Sequence, residues 1–233
     1  MSPRAALPTG ADKVAAVRAM FDSIAPRYNL LNRIITFGMD VGWRRRAVAA
    51  LDLPAGSVVL DVACGTGDLC RELDAAGHRP IGFDFSAGML AAASTAAPLV
   101  QADALALPVA ARTADGITCG FALRNVVSLR QLFAEFARAL RAGGRVAILE
   151  VAEPGTAVLR AGHRLYFRGV VPLVGGLLSD RAAYSYLPRS AAYLPAQAEL
   201  ERLIEAAGFA SVHTRLLALG AAQLVTATRV QVA

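Results

Sequence analysis

Val58-Val59-Leu60-Asp61-Val62-Ala63-Cys64-Gly65-Thr66-Gly67-Asp68 is the stretch whose reading decides the fold. Its first five residues are an apolar run broken by a single carboxylate. Such a run predicts a strand covered on both faces, as in a parallel sheet. Gly65 and Gly67 then predict a tight turn, and the chain continues as a helix to about Ala76. Glycines in that turn let backbone approach a ligand closely, and the following helix N-terminus presents unpaired N–H donors.

Working outward, the same alternation repeats. Strands are expected at Pro80–Asp84, Pro98–Ala102, Gly116–Phe121 and Arg145–Val151, with helices at Ala87–Thr95 and Leu129–Arg141. A further helix at Ala196–Ala207 and strands at Val212–Leu217 and Gln223–Val230 close the chain. The pattern predicts an α/β fold with a mainly parallel sheet and helices on both faces. Before it, residues 1–55 read as an N-terminal helical cap. It holds a helix from Asp12 to about Ala25, with Val14, Val17 and Phe21 on one face, then apolar Leu30–Met39 and a helix over Asp40–Leu51. Between the core at 56–155 and the closing helix and strands at 196–233, residues 156–195 break the alternation and carry four of the five tyrosines. They read as an insertion or lid within a single domain of residues 1–233.

Composition excludes several chemistries. The chain has 233 residues, 24 Lys+Arg against 18 Asp+Glu, and a hydrophobic fraction of 55%. It is long enough for a full core without staples, and too apolar to be disordered. Lys13 is the only lysine. It lacks a glycine-rich loop before it and a tyrosine four residues upstream, which excludes a Walker A loop and a Tyr-x-x-x-Lys pair. A Schiff-base lysine is excluded on the same reading. Cys64, Cys70 and Cys119 lack metal-ligand spacing, and His78, His163 and His213 lie far apart, so neither a metal nor a disulfide framework is expected. With no signal peptide in the first ten residues, the expected location is cytoplasmic. The clusters Arg44-Arg45-Arg46 and Arg160, His163, Arg164, Arg168 read first as solvated helix faces and second as contacts for anions or a membrane surface.

Carboxylates stand at successive strand ends. Asp84 lies at the end of the second strand, where it can accept hydrogen bonds from both hydroxyls of a ribose; Asp103 follows the third, next to Ala104, where an adenine edge can sit. The ordered set says nucleoside cofactor. The third glycine of a dinucleotide loop is missing, because Leu69 and Cys70 follow Gly67 and Asp68.

At this point a resemblance becomes specific. Asp61-x-Ala63-x-Gly65-Thr66-Gly67 resembles the first motif of the class I S-adenosylmethionine-dependent methyltransferases, which have a Rossmann-like sheet with a reversed final strand. Further segments resemble one branch, the ubiquinone/menaquinone biosynthesis C-methyltransferases: Met20–Ala25 with Tyr28–Asn32, Asp84–Leu90, Ala102–Pro108, Phe121–Val126 and Tyr184–Ser190. The first motif is widely shared; the Tyr28–Asn32 and Arg124-Asn125 segments are far more selective.

The resemblance implies S-adenosyl-L-methionine as cofactor and methylation of a ring carbon of a polyprenylated quinol, with demethylmenaquinol to menaquinol favoured. A benzoquinol, another phenolic acceptor or a catalytically silent cofactor-binding subunit are the alternatives. It also implies roles. Asp61, Ala63, Gly65, Thr66, Gly67, Asp84, Phe85, Asp103, Ala104 and Gly120 would form the cofactor site. Arg124 and Asn125 would face the quinol head, with Tyr166 and Tyr186 as further substrate contacts. Tyr28, Arg124 acting through water, and His163 stay open as the general base. Ala122 stands where the family has glycine, which reshapes the head-group pocket. The expected partners are the quinol, a peripheral membrane surface and a second copy of the chain, but not nucleic acid, for which no base-stacking platform or catalytic motif is present.

Overall fold

The computed structural model of the chain describes residues 10–166, 169 and 190–230. Seven strands, β1 (Val58–Val62), β2 (Arg79–Asp84), β3 (Leu99–Gln101), β4 (Ala114–Gly120), β5 (Leu140–Val151), β6 (Phe209–Leu217) and β7 (Ala222–Arg229), form one sheet in the order β3-β2-β1-β4-β5-β7-β6. β1 to β5 pair in parallel, and β7 runs antiparallel to both β5 and β6. Chain order reverses between β1 and β4. Crossovers therefore leave in opposite directions there and open a crevice at the strands' carboxyl ends.

Alternate residues of each central strand serve opposite faces. Leu60, Val62, Ile117, Cys119, Val146 and Ile148 pack on one side against α6 (Leu129–Ala139) and α8 (Gln197–Ala206). Val59, Ala147, Leu149 and Leu224 pack on the other against Trp43, Ala47 and Val48 of α3 (Met39–Ala50) and Leu69 and Leu73 of α4 (Asp68–Ala75). Helices on both sides are why the strands read as continuous apolar runs rather than as alternating ones.

Several expected boundaries move. The helix after β2, α5 (Ala87–Ala91), ends before Thr95, because the Ser94 N–H turns aside to donate to the Thr66 carbonyl at 3.1 Å and Arg71 holds the Ser94 carbonyl at 2.6 Å. α6 stops at Ala139 instead of Arg141. β5 begins at Leu140 instead of Arg145, pairing Leu140 with Ala114 before the register shifts, and Gly143 supplies the positive φ of that irregularity. β6 begins at Phe209, ahead of the expected Val212.

The cap consists of α1 (Gly10–Ile24), a turn at Ala25–Arg27 containing Pro26, and α2 (Tyr28–Ile35). Ile24, Ala25 and Leu31 bury themselves against Met89 of α5. Polar joints lock this contact. Asp22 Oδ1 accepts from Ser86 Oγ at 2.5 Å and from the Gly88 N–H at 2.9 Å, and Thr66 Oγ1 donates to Asn29 Oδ1 at 2.5 Å. Gly88 has to be glycine for this approach, since a Cβ there would lie 2.9 Å from the Asp22 Cα.

The basic run of α3 is not a uniformly solvated face. Arg44 is buried and pairs with Asp40 and Asp68, while Arg45 reaches Glu72 at 3.1 Å. Burial disfavours the charge on Asp40, but hydrogen bonds from Arg44 and Thr36 and the charges of Arg44 and Arg33 outweigh it and hold the carboxyl below its ordinary range. α7 (Ala157–Leu165) follows β5. Among the described residues, no helix is long and apolar enough to cross a membrane, and no group of three or more His, Cys, Asp or Glu is arranged to hold a metal ion.

Candidate active site

A cavity of about 320 Å³ sits in the crevice at the carboxyl ends of β1 to β4, with α1 and Tyr28 on its outer side. One half is nucleoside-like in its chemistry. Gly65 follows β1, Asp84 and Phe85 end β2, and Asp103, Ala104 and Leu105 follow β3. The Gly65 N–H donates to Asp84 Oδ2 at 2.8 Å and the Ser86 N–H donates to Asp84 Oδ1 at 2.9 Å. Each carboxylate oxygen accepts one of these bonds, which leaves acceptor capacity on both for a diol. Burial raises the Asp84 pKa above the ordinary aspartate value, against the pull of those backbone N–H groups.

The other half is apolar. Phe21 of α1 and Tyr28 of α2 meet edge to face, with ring centroids 6.1 Å apart. Opposite them stand Phe121, Ala122, Val126 and Val127, with the Asn125 amide among them. The first residues past β1 and β4, Ala63 and Phe121, both hold left-handed backbone at φ 58° and 59° without being glycine. Such conformations cost about 1–2 kcal/mol each, and both residues line the cavity.

Behind this surface lies a supporting layer. Asp61 is fully buried, accepting from Thr118 Oγ1 at 2.8 Å and from the Cys70 thiol at 3.4 Å. Burial pushes its pKa up to about 7 despite these two donors. Thr66 is buried and holds Asn29, and Gly67 caps α4 with a left-handed φ of 80°. That φ favours glycine, and a Cβ there would also lie 2.7 Å from Thr95 Cγ2.

Of the expected site residues, the cavity therefore gathers Tyr28, Ala63, Gly65, Asp84, Phe85, Asp103, Ala104, Gly120 and Asn125. Asp61, Thr66 and Gly67 stand behind or beside it. Arg124 differs from its expected place facing the ring. Its guanidinium is buried in an ion pair with Glu150 of β5, and Glu150 Oε2 also accepts the Arg124 backbone N–H at 3.4 Å. Tyr166 packs its ring against Phe37, with centroids 5.7 Å apart, and donates to the Ile35 carbonyl at 2.8 Å, away from the cavity wall. Tyr186 lies outside the described residues. Sequence reading missed Glu150, Phe121 and the α1 residues Val14 and Arg18. An acidic residue inside an apolar strand was the available signal for Glu150.

The cavity fits an adenosyl group on this geometry. A Cβ built at Gly65 meets nothing within 4 Å, so the turn borders open space where backbone alone meets a ligand. The sequence profile of the ubiE/COQ5 methyltransferase family matches residues 9–229. The chain belongs to that family. A demethylmenaquinone methyltransferase from Roseiflexus sp. is 42% identical over 228 residues, covering 94% of this chain and 96% of that one. A ubiquinone/menaquinone biosynthesis C-methyltransferase from Syntrophotalea carbinolica is 41% identical over 221 residues, covering 91% and 93%. In fold, the chain is similar to an S-adenosylmethionine-dependent methyltransferase from Thermotoga maritima (TM-score 0.65, 18% identity, covering 91% of this chain and 99% of that one). It is also similar to a chain of the Haloferax volcanii complex of a methyltransferase with its Trm112 activator (TM-score 0.67, 16% identity, covering 91% and 98%). This ubiE/COQ5-family protein is a methyltransferase whose cofactor is S-adenosyl-L-methionine.

Proposed function

We propose that this methyltransferase methylates a ring carbon of a polyprenylated quinol, converting demethylmenaquinol to menaquinol. The observation that carries the reading is the division of one cavity into a polar nucleoside half and an apolar half walled by Phe21, Tyr28, Phe121 and Ala122. Relatives of nearly equal length bear the matching names.

When bound, the cofactor supplies an electrophilic methyl on a positively charged sulfur. Asp84 accepts the ribose hydroxyls, and the Gly65 backbone leaves room for the chain beyond them. Asp103, Ala104, Phe85 and Leu105 border the adenine. Phe21, Phe121, Val126 and Val127 exclude water from the acceptor half, which keeps a developing phenolate from being solvated away from the reacting carbon. Tyr28 and Asn125 are polar side chains at that wall, with Arg18 of α1 a third. Asn125 orients the quinol oxygen, and Tyr28 is the group within the wall able to exchange its proton. The pair of Arg124 with Glu150 serves as a positioning device, holding the turn that carries Asn125. In-line alignment supplies the main rate gain.

The exposed apolar side chains Leu30, Ile34, Phe37 and Met39 support contact with a membrane surface, where an isoprenoid tail resides. Three buried free cysteines support a reducing, cytoplasmic location. The sheet draws strands from Val58 to Arg229, which supports reading the chain as one domain.

The test is incubation of the purified protein with S-adenosylmethionine and a chemically reduced short-chain demethylmenaquinol, followed by mass spectrometry. One added ring methyl is expected. Measurable cofactor binding without that product, or a product only with a benzoquinol, would overturn the acceptor assignment.

A further inference from the structure

Lys13 is the only lysine of the chain, and it is buried. Its Nζ donates to the Val126 carbonyl at 2.8 Å and lies 3.7 Å from the centroid of the Tyr193 ring. Three separate segments meet at that ammonium: α1, the strand-to-helix loop after β4, and the turn Ala191–Tyr193. Two of them wall the acceptor half of the cavity. Val14 and Arg18 come from α1, and Asn125, Val126 and Val127 from the loop. The cofactor half has its own restraints, the backbone hydrogen bonds onto Asp84, and makes no use of Lys13.

A compact ammonium suits this point. Its three donors let one nitrogen face a carbonyl and an aromatic face together. A guanidinium is planar and spreads its charge over a fork of donors, so it does not present one compact charge to both partners, although Arg serves at every other Lys/Arg position of the chain.

We propose that Lys13 is a positioning residue for the acceptor: by pinning the Val126 carbonyl and the Tyr193 ring to α1, it sets where Asn125 and the apolar wall stand against the quinol ring. The proposal rests on the reading of the cavity as a quinol methyltransferase site. It predicts a loss confined to the acceptor side. Lys13→Met keeps the apolar stem and removes the ammonium. Its kcat/KM for the reduced demethylmenaquinol should fall roughly tenfold to a hundredfold, the scale on which small displacements of reacting groups act. Its S-adenosylmethionine Kd by calorimetry should stay at the wild-type value.

Tyr193→Leu should show an acceptor-side loss in the same direction but smaller, because Lys13 still holds the Val126 carbonyl, and Tyr193→Phe, which keeps the ring face, should retain most of the activity. Combined with Lys13→Met, Tyr193→Leu should add little further loss, because the ring contact has already gone with the ammonium. Lys13→Arg should remain impaired despite its charge. Wild-type acceptor kinetics in Lys13→Met, or a loss of cofactor affinity matching the loss of kcat/KM, overturns the proposal. If Lys13→Met does not fold, Tyr193→Leu decides alone, and its wild-type kinetics overturn it. Absence of ring methylation by the wild-type protein is a separate outcome: it removes the quinol reading and, with it, the acceptor this lysine is said to position.

Discussion

The Gly65 N–H and the Asp84 carboxylate are joined at 2.8 Å, so the turn after β1 and the end of β2 form one rigid edge of the cavity. Asp84→Ala removes this joint together with the acceptor of the ribose hydroxyls. Hydrogen bonds to charged groups contribute about 1.5–3 kcal/mol each. Cofactor affinity should therefore fall by about two to four orders of magnitude if two are lost. Calorimetry with S-adenosylmethionine measures it, and an unchanged Kd would remove Asp84 from the cofactor site.

Arg124 and Glu150 form a buried ion pair, with Glu150 fully inaccessible. Arg124→Ala leaves that carboxylate uncompensated and should destabilise the fold by about 3–5 kcal/mol. The Arg124→Ala, Glu150→Ala double variant should recover part of the loss. Urea denaturation compares the three proteins. Cofactor binding should persist in Arg124→Ala while turnover collapses, because the Asn125 turn loses its anchor. Wild-type stability in Arg124→Ala would show that the pair does not hold in solution.

Asp61 titrates near 7 in the folded protein against 3.8 ordinarily, so folding retains a proton that the unfolded chain releases. The stability this supplies is complete below about pH 4 and is lost as the pH rises to 7, at no more than about 1.4 kcal/mol per pH unit. Asp84 shifts in the same direction, while Asp40, Glu135 and Glu201 shift in the opposite one. The informative quantity is thus the difference between wild type and Asp61→Asn. Urea midpoints at about pH 5 and about pH 7 should show a smaller fall in Asp61→Asn than in wild type. Equal falls would mean that Asp61 stays ionised in the fold.

Gly88→Ala places a methyl group 2.9 Å from the Asp22 Cα, where backbone has to yield. A cost of about 1–3 kcal/mol is expected, as for other overpacked contacts. The loss should concentrate in the cap. Hydrogen exchange should quicken in α1 and α2 while β1 and β4 keep their protection; uniform acceleration would show that the cap and sheet open together.

β1 was legible to the residue, because a strand buried on both faces leaves a continuous apolar run between the break at Pro54-Ala55-Gly56 and the turn at Gly65 and Gly67. Asp84, Asp103 and Gly65 were legible as a set, because parallel strands deliver their carboxyl ends to one edge. Arg124 shows the limit. Its position after β4 was correct, but the direction of its side chain depends on Glu150 in the next strand, and no local pattern records that pairing. α5 ended early for a similar reason: its stop signal is the Thr66 carbonyl, far away in sequence. Lys13 carried meaning only as an exclusion until its neighbours Val126 and Tyr193 were in view.

The joints of the cap also govern the order in which the molecule is completed. Asp22, Asn29 and Lys13 belong to the earliest part of the chain, whereas their partners Ser86, Gly88, Thr66, Val126 and Tyr193 all come later. Contacts so distant in sequence form slowly, since long loops have to close first. During synthesis, α1 and α2 therefore emerge without a docking surface and wait for the sheet to assemble. The outer wall of the cavity is then among the last parts to close, after the edge of the sheet that carries Gly65 and Asp84 is in place.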